Sequence, residues 1–187
     1  GADQYASGLK DMSAAEGSAN AKASIDALQA DGGTYIDYGL AMAQSVFDGA
    51  FVAQGEERDR VVVVLTDGSP GTRGSDEGVA NRAIAAAAGL KGSGATVYSV
   101  GIFPNAIASG SLPVYSRSWN DDMSNRFMNL LSSNYPSAAS MTSSGDRFVD
   151  VEGAMPDFYF AASDAAGLEA VFRAIAQESG GSSIQLD

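Results

Sequence analysis

A continuous run of β-branched residues, Val61-Val62-Val63-Val64-Leu65, constrains the fold of this chain more than any other feature. Because the run does not alternate between apolar and polar residues, it predicts a central strand of a parallel sheet, buried on both faces. Thr66-Asp67-Gly68-Ser69 follows directly and predicts a sharp turn at the carboxyl end of that strand.

Apolar residues at helix or strand spacing predict the remaining elements. Strands are expected at residues 61–65, 96–103 and 158–161, and helices near residues 21–29, 34–48, 75–91, 123–131 and 164–175. Thr34, Ser75 and Asp164 are the expected helix N-caps. The order predicts an α/β fold, a Rossmann-like, doubly wound and mostly parallel sheet with helices on both faces. Three strands are few for 187 residues, because such sheets usually have about five or six.

The chain, residues 1–187, is expected to form a single domain. Its parts are a leader or loop at 1–20, a core at 21–178 and a linker-like tail at 179–187. No run approaches the roughly 18 apolar residues that a membrane-spanning helix needs, so we expect no membrane insertion. The formal net charge of −12 repels nucleic acid and anionic membranes, so neither is an expected partner.

The absence of cysteine and histidine excludes several kinds of chemistry. Without them there are no disulfides, no thiolate or imidazole metal ligands and no histidine-dependent catalytic triad. Leu65-Thr66-Asp67-Gly68-Ser69 superficially resembles the loop of haloacid-dehalogenase phosphatases, but Leu65 stands where that family has its nucleophilic aspartate. We therefore expect a protein that is not an enzyme. Any metal site must use oxygen ligands, which favours Mg²⁺, Mn²⁺ or Ca²⁺.

Two polar loops are expected at the edge of the sheet where ligands bind in doubly wound folds. Asp67 follows the valine-rich strand, and Thr34 stands at the start of a helix after Gly33. A carboxylate and a hydroxyl are hard oxygen donors that suit a divalent cation. The alternative is purely structural, with Asp67 forming a tight turn and Thr34 capping a helix.

Several segments carry a resemblance to a known family. These are Gly32-Gly33-Thr34-Tyr35-Ile36-Asp37-Tyr38-Gly39-Leu40, then Val61–Leu65 with Thr66-Asp67-Gly68, the strand Ala95–Ile102, and Asp164-Ala165-Ala166-Gly167-Leu168 with Val171, Phe172 and Ile175. Together they resemble the von Willebrand factor type A domain over residues 20–180. The segment from Asn125 to Pro136 is similar to type A domains in surface and pilus proteins of Gram-positive bacteria.

The resemblance implies a metal-ion-dependent adhesion site, which in this family usually binds Mg²⁺. It implies that Thr34 coordinates the ion directly or through water, and that Asp67 acts through water. Gly33, Tyr35, Gly68 and Ser69 are the neighbouring candidates for contact with a ligand. An acidic group of a protein partner, which could be a host or matrix protein, then completes the coordination. The resemblance also implies a bacterial cell-surface location and a role in adhesion or protein recognition.

One departure from the family pattern concerns the Asp-x-Ser-x-Ser motif, which does not occur in this sequence. The N-terminal part of the fold that carries this motif is therefore expected to be missing. Thr34 and Asp67 alone should bind Mg²⁺ weakly, because Mg²⁺ dehydrates reluctantly, so the site could stay unfilled. The strand at Val61–Leu65 would keep an open edge that pairs with the missing part or with a second copy. The alternative function is a non-adhesive scaffold with a degenerate metal site.

The long segment at residues 103–157 contains one short predicted helix, and its part at residues 132–156 is rich in Ser, Asn and Gly. Tyr115, Trp119 and Tyr135 stand within it. These aromatic side chains either contact a partner or cover the end of the sheet.

Overall fold

The computed structural model describes residues 14–28, 32–50, 59–72, 74–108 and 111–178. These parts of the chain contain three strands and five helices, in the order that the sequence predicts. The elements are α1 (Ala15–Asp26), α2 (Ile36–Asp48), β1 (Arg60–Thr66), α3 (Glu77–Gly92), β2 (Ala95–Gly101), α4 (Asp121–Leu131), β3 (Tyr159–Ala161) and α5 (Ala165–Glu178). The first helix begins and ends before the predicted 21–29, and Gln29 lies outside the described residues.

The described strands form one parallel sheet in the order β1-β2-β3. Val61 of β1 lies opposite Thr96 of β2, and Ser99 of β2 lies opposite Tyr159 of β3. Parallel neighbours need a crossover between them, and α3 and α4 provide the two crossovers. The predicted α/β fold with a parallel sheet is confirmed.

Helices cover both faces of the sheet, as the alternating order predicts. On one face, Ala95 and Val97 of β2 pack into a core built by α2, α3 and α4, whose buried residues include Leu40, Ala83, Ala87, Leu90, Phe127 and Leu130. On the other face, Tyr98 and Val100 pack against Val171 and Ile175 of α5. This alternation follows from the two-residue period of a strand, which sends successive side chains to opposite faces.

The valine-rich strand differs from its predicted position. It lies at one edge of the described sheet, and β2 occupies the centre. Its valines are half-buried, and Leu65 is 42% exposed. The prediction of a central strand buried on both faces is therefore wrong for the described residues. A β-branched run reports apolar surroundings and carries no information about how many neighbours the strand has.

Two of the three predicted helix caps are displaced. The side chain of Thr34 does not cap α2, which begins at Ile36 without a side-chain cap bond. Asp76, and not Ser75, caps α3 by accepting hydrogen bonds from the amides of Gly78 at 2.7 Å and Val79 at 3.2 Å. Before α3 the two cap-forming residues Ser75 and Asp76 stand side by side, and local preference does not choose between them.

Asp164 caps α5 as predicted. Its carboxylate accepts a hydrogen bond from the Gly167 amide at 2.8 Å, and its carbonyl accepts one from the Leu168 amide at 3.0 Å. The predicted apolar face of this helix is also found, with Val171 and Ile175 buried and Phe172 at 38% exposure.

One buried and one half-buried cation hold the long segment 103–157 against the core. Arg126 of α4 donates hydrogen bonds to the carbonyls of Met141 at 2.6 Å, Pro113 at 2.5 Å and Ser143. Burial lowers the pKa of this guanidinium, which still carries its charge at neutral pH. Lys91 donates to the carbonyls at the end of α4 in the same way, at 2.9–3.1 Å. Irregular backbone inside a fold needs such partners, because an unpaired buried carbonyl is costly.

The aromatic residues of this segment pack against the protein. Tyr135 is 5% exposed, and the half-buried Tyr115 and Trp119 lie against the same core cluster. The interpretation that these rings cover the end of the sheet therefore holds for Tyr135, and for the greater part of the other two.

Candidate functional site

The two loops singled out in the sequence are hydrogen-bonded to each other. The Thr34 amide donates to the Gly71 carbonyl at 2.8 Å, and the Gly71 amide donates to the Thr34 carbonyl at 3.0 Å. Thr34 is thus bonded to a residue that lies four positions after Asp67. The two hydrogen bonds form an isolated antiparallel bridge. A pair of reciprocal backbone bonds fixes both the distance and the relative orientation of the loops.

Close packing explains the glycine before Thr34. A Cβ atom on Gly33 would lie 2.8 Å from the Gly71 carbonyl oxygen and would overlap the side chain of Thr72. Any larger residue at this position would force the two loops apart. Gly33 therefore supports the bridge between the loops.

Asp67 combines a turn with an exposed carboxylate. Its Oδ1 accepts a hydrogen bond from the Ser69 amide at 3.1 Å, which is the tight turn that the structural alternative predicts. The preceding Thr66 is buried, and its hydroxyl accepts a bond from the Gly68 amide at 3.2 Å. Asp67 itself is exposed, as is Ser69. The Thr66 hydroxyl also donates to Asp67 Oδ1, in a long bond of 3.5 Å, and the two bonds leave about half of the acceptor capacity of this carboxylate available.

Gly68 allows the Asp67 loop to pack closely against the rest of the molecule. Its φ of +79° is a left-handed conformation that favours glycine. A Cβ atom here would lie 2.9 Å from both the Phe103 ring and the Ser124 side chain. The loop therefore rests on the segment after β2 and on the first turn of α4.

An ion pair between a buried carboxylate and an exposed guanidinium joins the start of α2 to the second turn of α3, and the sequence gives no sign of it. Arg82 Nε donates to Asp37 Oδ2 at 2.8 Å, and Asp37 is 6% exposed. The pKa of Arg82 is raised, first by this hydrogen bond. The other oxygen of Asp37 is buried and has no hydrogen-bond partner among the described residues. Because 45 positions separate the two residues, no local pattern connects them.

The donor set suits a divalent cation only in part. Thr34 offers a hydroxyl and Asp67 a carboxylate, whereas an octahedral Mg²⁺ ion takes about six oxygen ligands. Nowhere in the described ranges do three acidic side chains come together in a group that could hold a metal. Tyr35 is half-buried with its ring 5.6 Å from that of Tyr38. Thr34 and Asp67 therefore supply two oxygen donors of the about six that such an ion takes.

Comparison with models of protein families shows the family to which the chain belongs. The model of the von Willebrand factor type A domain matches residues 4–150 of the chain. The chain belongs to this family. The matched range of the type A domain contains both candidate loops, β1, β2 and α4, and it ends before β3 and α5. None of the curated proteins matches the chain, and none of the solved structures matches it.

Membership in the type A family gives a general expectation for function. Domains of this family commonly mediate protein interactions. Family membership therefore suggests a general role in protein interaction or adhesion for this chain. Within the part of the type A domain that the structure describes, no helix is both long and apolar enough to cross a membrane.

Proposed function

We propose that this type A domain recognises a protein partner through a divalent cation held between Thr34 and Asp67. The observation that carries the proposal is the pair of hydrogen bonds between Thr34 and Gly71, which ties the two donor loops together. Loops fixed in this way need little reorganisation when a cation binds, and preorganisation is a major part of affinity.

The exposed carboxylate of Asp67 supplies the negative charge, and the hydroxyl of Thr34 supplies a second hard oxygen. Mg²⁺ and Mn²⁺ suit this donor set best, and an acidic side chain of the partner fills a further coordination position. Among their neighbours, Ser69 is exposed and Tyr35 is half-buried, so these two contact the partner, whereas Gly33 and Gly68 hold the loops in place. We place this non-catalytic recognition domain on the surface of a bacterium.

A second function is a scaffold whose metal site is degenerate. The observation in its favour is the Asp67 turn, because the hydrogen bond from the Ser69 amide gives this carboxylate a structural purpose without any metal. A scaffold of this kind would keep the fold and the loop bridge and bind its partner without a cation.

The variant Asp67→Asn separates the two functions. Asparagine keeps the side-chain oxygen that accepts the turn hydrogen bond and removes the charge that attracts a cation. Asp150→Asn is the matched control, because Asp150 Oδ1 accepts a bond from the Glu152 amide at 2.9 Å in the same two-residue geometry. The measurement is the melting temperature of each protein with Mn²⁺ or Mg²⁺ from micromolar to millimolar concentration.

We expect the cations to raise the melting temperature of the wild type and of Asp150→Asn, and to have little effect on Asp67→Asn. The stabilisation grows as the logarithm of cation concentration above the Kd, so the titration also measures affinity. Equal shifts in all three proteins, or no shift in any of them, would support the scaffold.

A further inference from the structure

A small cavity lies between the first turn of α3 and the segment that precedes α4. Its volume is about 120 Å³, and its wall includes Glu77, Tyr115, Arg117, Trp119, Met123 and Met141. A buried water needs roughly 10–15 Å³ on this scale, so the cavity has room for the end of one long side chain. Neither the family match nor the proposed cation site assigns it a role.

Glu77 has acceptor capacity that the protein does not use. The Tyr115 hydroxyl lies 3.0 Å from each oxygen of the Glu77 carboxylate, so a single proton serves both oxygens. A carboxylate has about four lone-pair positions. Among the described residues, no arginine or lysine forms an ion pair with Glu77. The carboxylate therefore lies beside the cavity and has no ion-pair partner among the described side chains.

The walls on either side of this carboxylate are aromatic or contain sulfur. Trp119 is held in place, because its indole Nε1 donates to the Ser124 hydroxyl at 3.0 Å and its ring lies 6.0 Å from that of Phe127. Met123 and Met141 are each 1% exposed, so they form a fixed inner surface. Aromatic faces attract cations, most strongly in the case of tryptophan.

We infer that this cavity binds a basic side chain, lysine or arginine, of a partner protein. Glu77 accepts hydrogen bonds from the ammonium or guanidinium group, while Tyr115 and Trp119 pack against the aliphatic part of the side chain. The net charge of −12 attracts basic partners over a longer range. The site goes beyond the proposed cation-dependent recognition, because it requires no metal.

Arg117 opposes this ligand and supplies a test of the charge argument. Its side chain is exposed at the wall of the same cavity, so it repels a second cation. Removing its charge should strengthen binding, whereas removing the charge of Glu77 should weaken it. Opposite effects of two neutralising substitutions identify an electrostatic site.

The single tryptophan of the chain, Trp119, is the reporter. The experiment follows its indole N–H resonance by NMR, in EDTA, during titration with the N-acetyl methylamides of arginine and lysine. The norleucine derivative, which has a similar length and no charge, is the neutral control. The glutamate derivative tests for an anion bound by Arg117.

We expect saturable shifts with the arginine and lysine derivatives at millimolar concentration, and none with the other two. Glu77→Gln should weaken binding by about 3- to 10-fold, and Arg117→Gln should strengthen it by about 2- to 5-fold, as expected for partly exposed charge interactions. A shift with norleucine or glutamate equal to that with lysine would overturn the inference. So would the absence of any shift, or an Arg117→Gln variant that binds more weakly. Because EDTA is present throughout, none of these outcomes depends on the cation site.

Discussion

Gly68 illustrates how one residue can carry both a turn and a packing contact. The Asp67-Gly68 pair in the sequence predicts a turn, and the positive φ at Gly68 confirms it. The sequence does not predict that Phe103 and Ser124 lie against the missing side chain. Those residues are 35 and 56 positions away, so their contact with the loop depends on the path of the chain.

Gly68→Ala should destabilise the protein more than Gly94→Ala. Both glycines have a left-handed φ, +79° and +88°, but a Cβ atom on Gly94 would meet nothing within 4 Å. We expect a loss of about 1 kcal/mol for Gly94→Ala from backbone strain alone, and about 2–4 kcal/mol for Gly68→Ala because overpacking adds to it. Urea denaturation of both variants measures the difference. Equal losses would mean that the loop moves away from Phe103 without cost.

Among the elements, α3 has a buried face that periodicity predicts and a contact at Lys91 that it does not predict. The predicted core face of Val79, Ala83, Ala87 and Leu90 is buried as expected. Lys91 follows this face at the end of the helix, where a basic residue is usually read as a favourable partner of the helix dipole. In the structure it donates to three carbonyls, from Leu130, Ser132 and Tyr135, and so joins the ends of α3 and α4.

Lys91 should make stability depend on pH between about pH 8 and pH 10.5. Burial lowers the pKa of Lys91 from 10.5 to about 8. In this window the unfolded chain holds a proton that the folded protein has released, so the free energy of unfolding rises with pH. The rise due to this group is on the order of 3 kcal/mol, and it is lost as the pH falls from about 10.5 to 8.

Chemical denaturation across this pH range measures the effect as the difference between the wild type and Lys91→Met. Lys22→Met is the matched control, because Lys22 is exposed and its ion pair with the described residues is the one with Asp26 along α1. Other groups that change protonation in this range are common to all three proteins and cancel in the difference. A flat difference for Lys91→Met would show that the three carbonyls keep the ammonium charged.

At the scale of the whole molecule, the open edge of β1 and the net charge act in opposite directions. Among the described residues no strand pairs with the outer edge of β1. An unpaired edge of this kind favours pairing with another chain. The net charge of −12 repels a second copy, and salt screens that repulsion within about 10 Å at 0.1 M.

We therefore predict that the chain self-associates through β1 and does so more strongly as salt is added. Leu65→Lys should reduce the association, because a lysine on an edge strand disfavours pairing. Ile107→Lys is the matched control, since Ile107 is also an exposed apolar residue but lies outside the sheet. Light scattering at low and high salt measures the average mass. A monomer under all conditions would contradict the prediction, as would equal effects of the two lysine variants.

Local patterns in the sequence are enough to predict the order of the elements, the parallel sheet, the apolar face of α3 and the positions of the two candidate loops. These features depend on periodicity and turn chemistry, which are properties of a few adjacent residues. The bridge between Thr34 and Gly71, the pairing of Arg82 with Asp37 and the cavity beside Glu77 arise from the folded arrangement of the chain. Each of these contacts joins residues 37–45 positions apart or depends on packing between elements, so the course of the folded chain creates it.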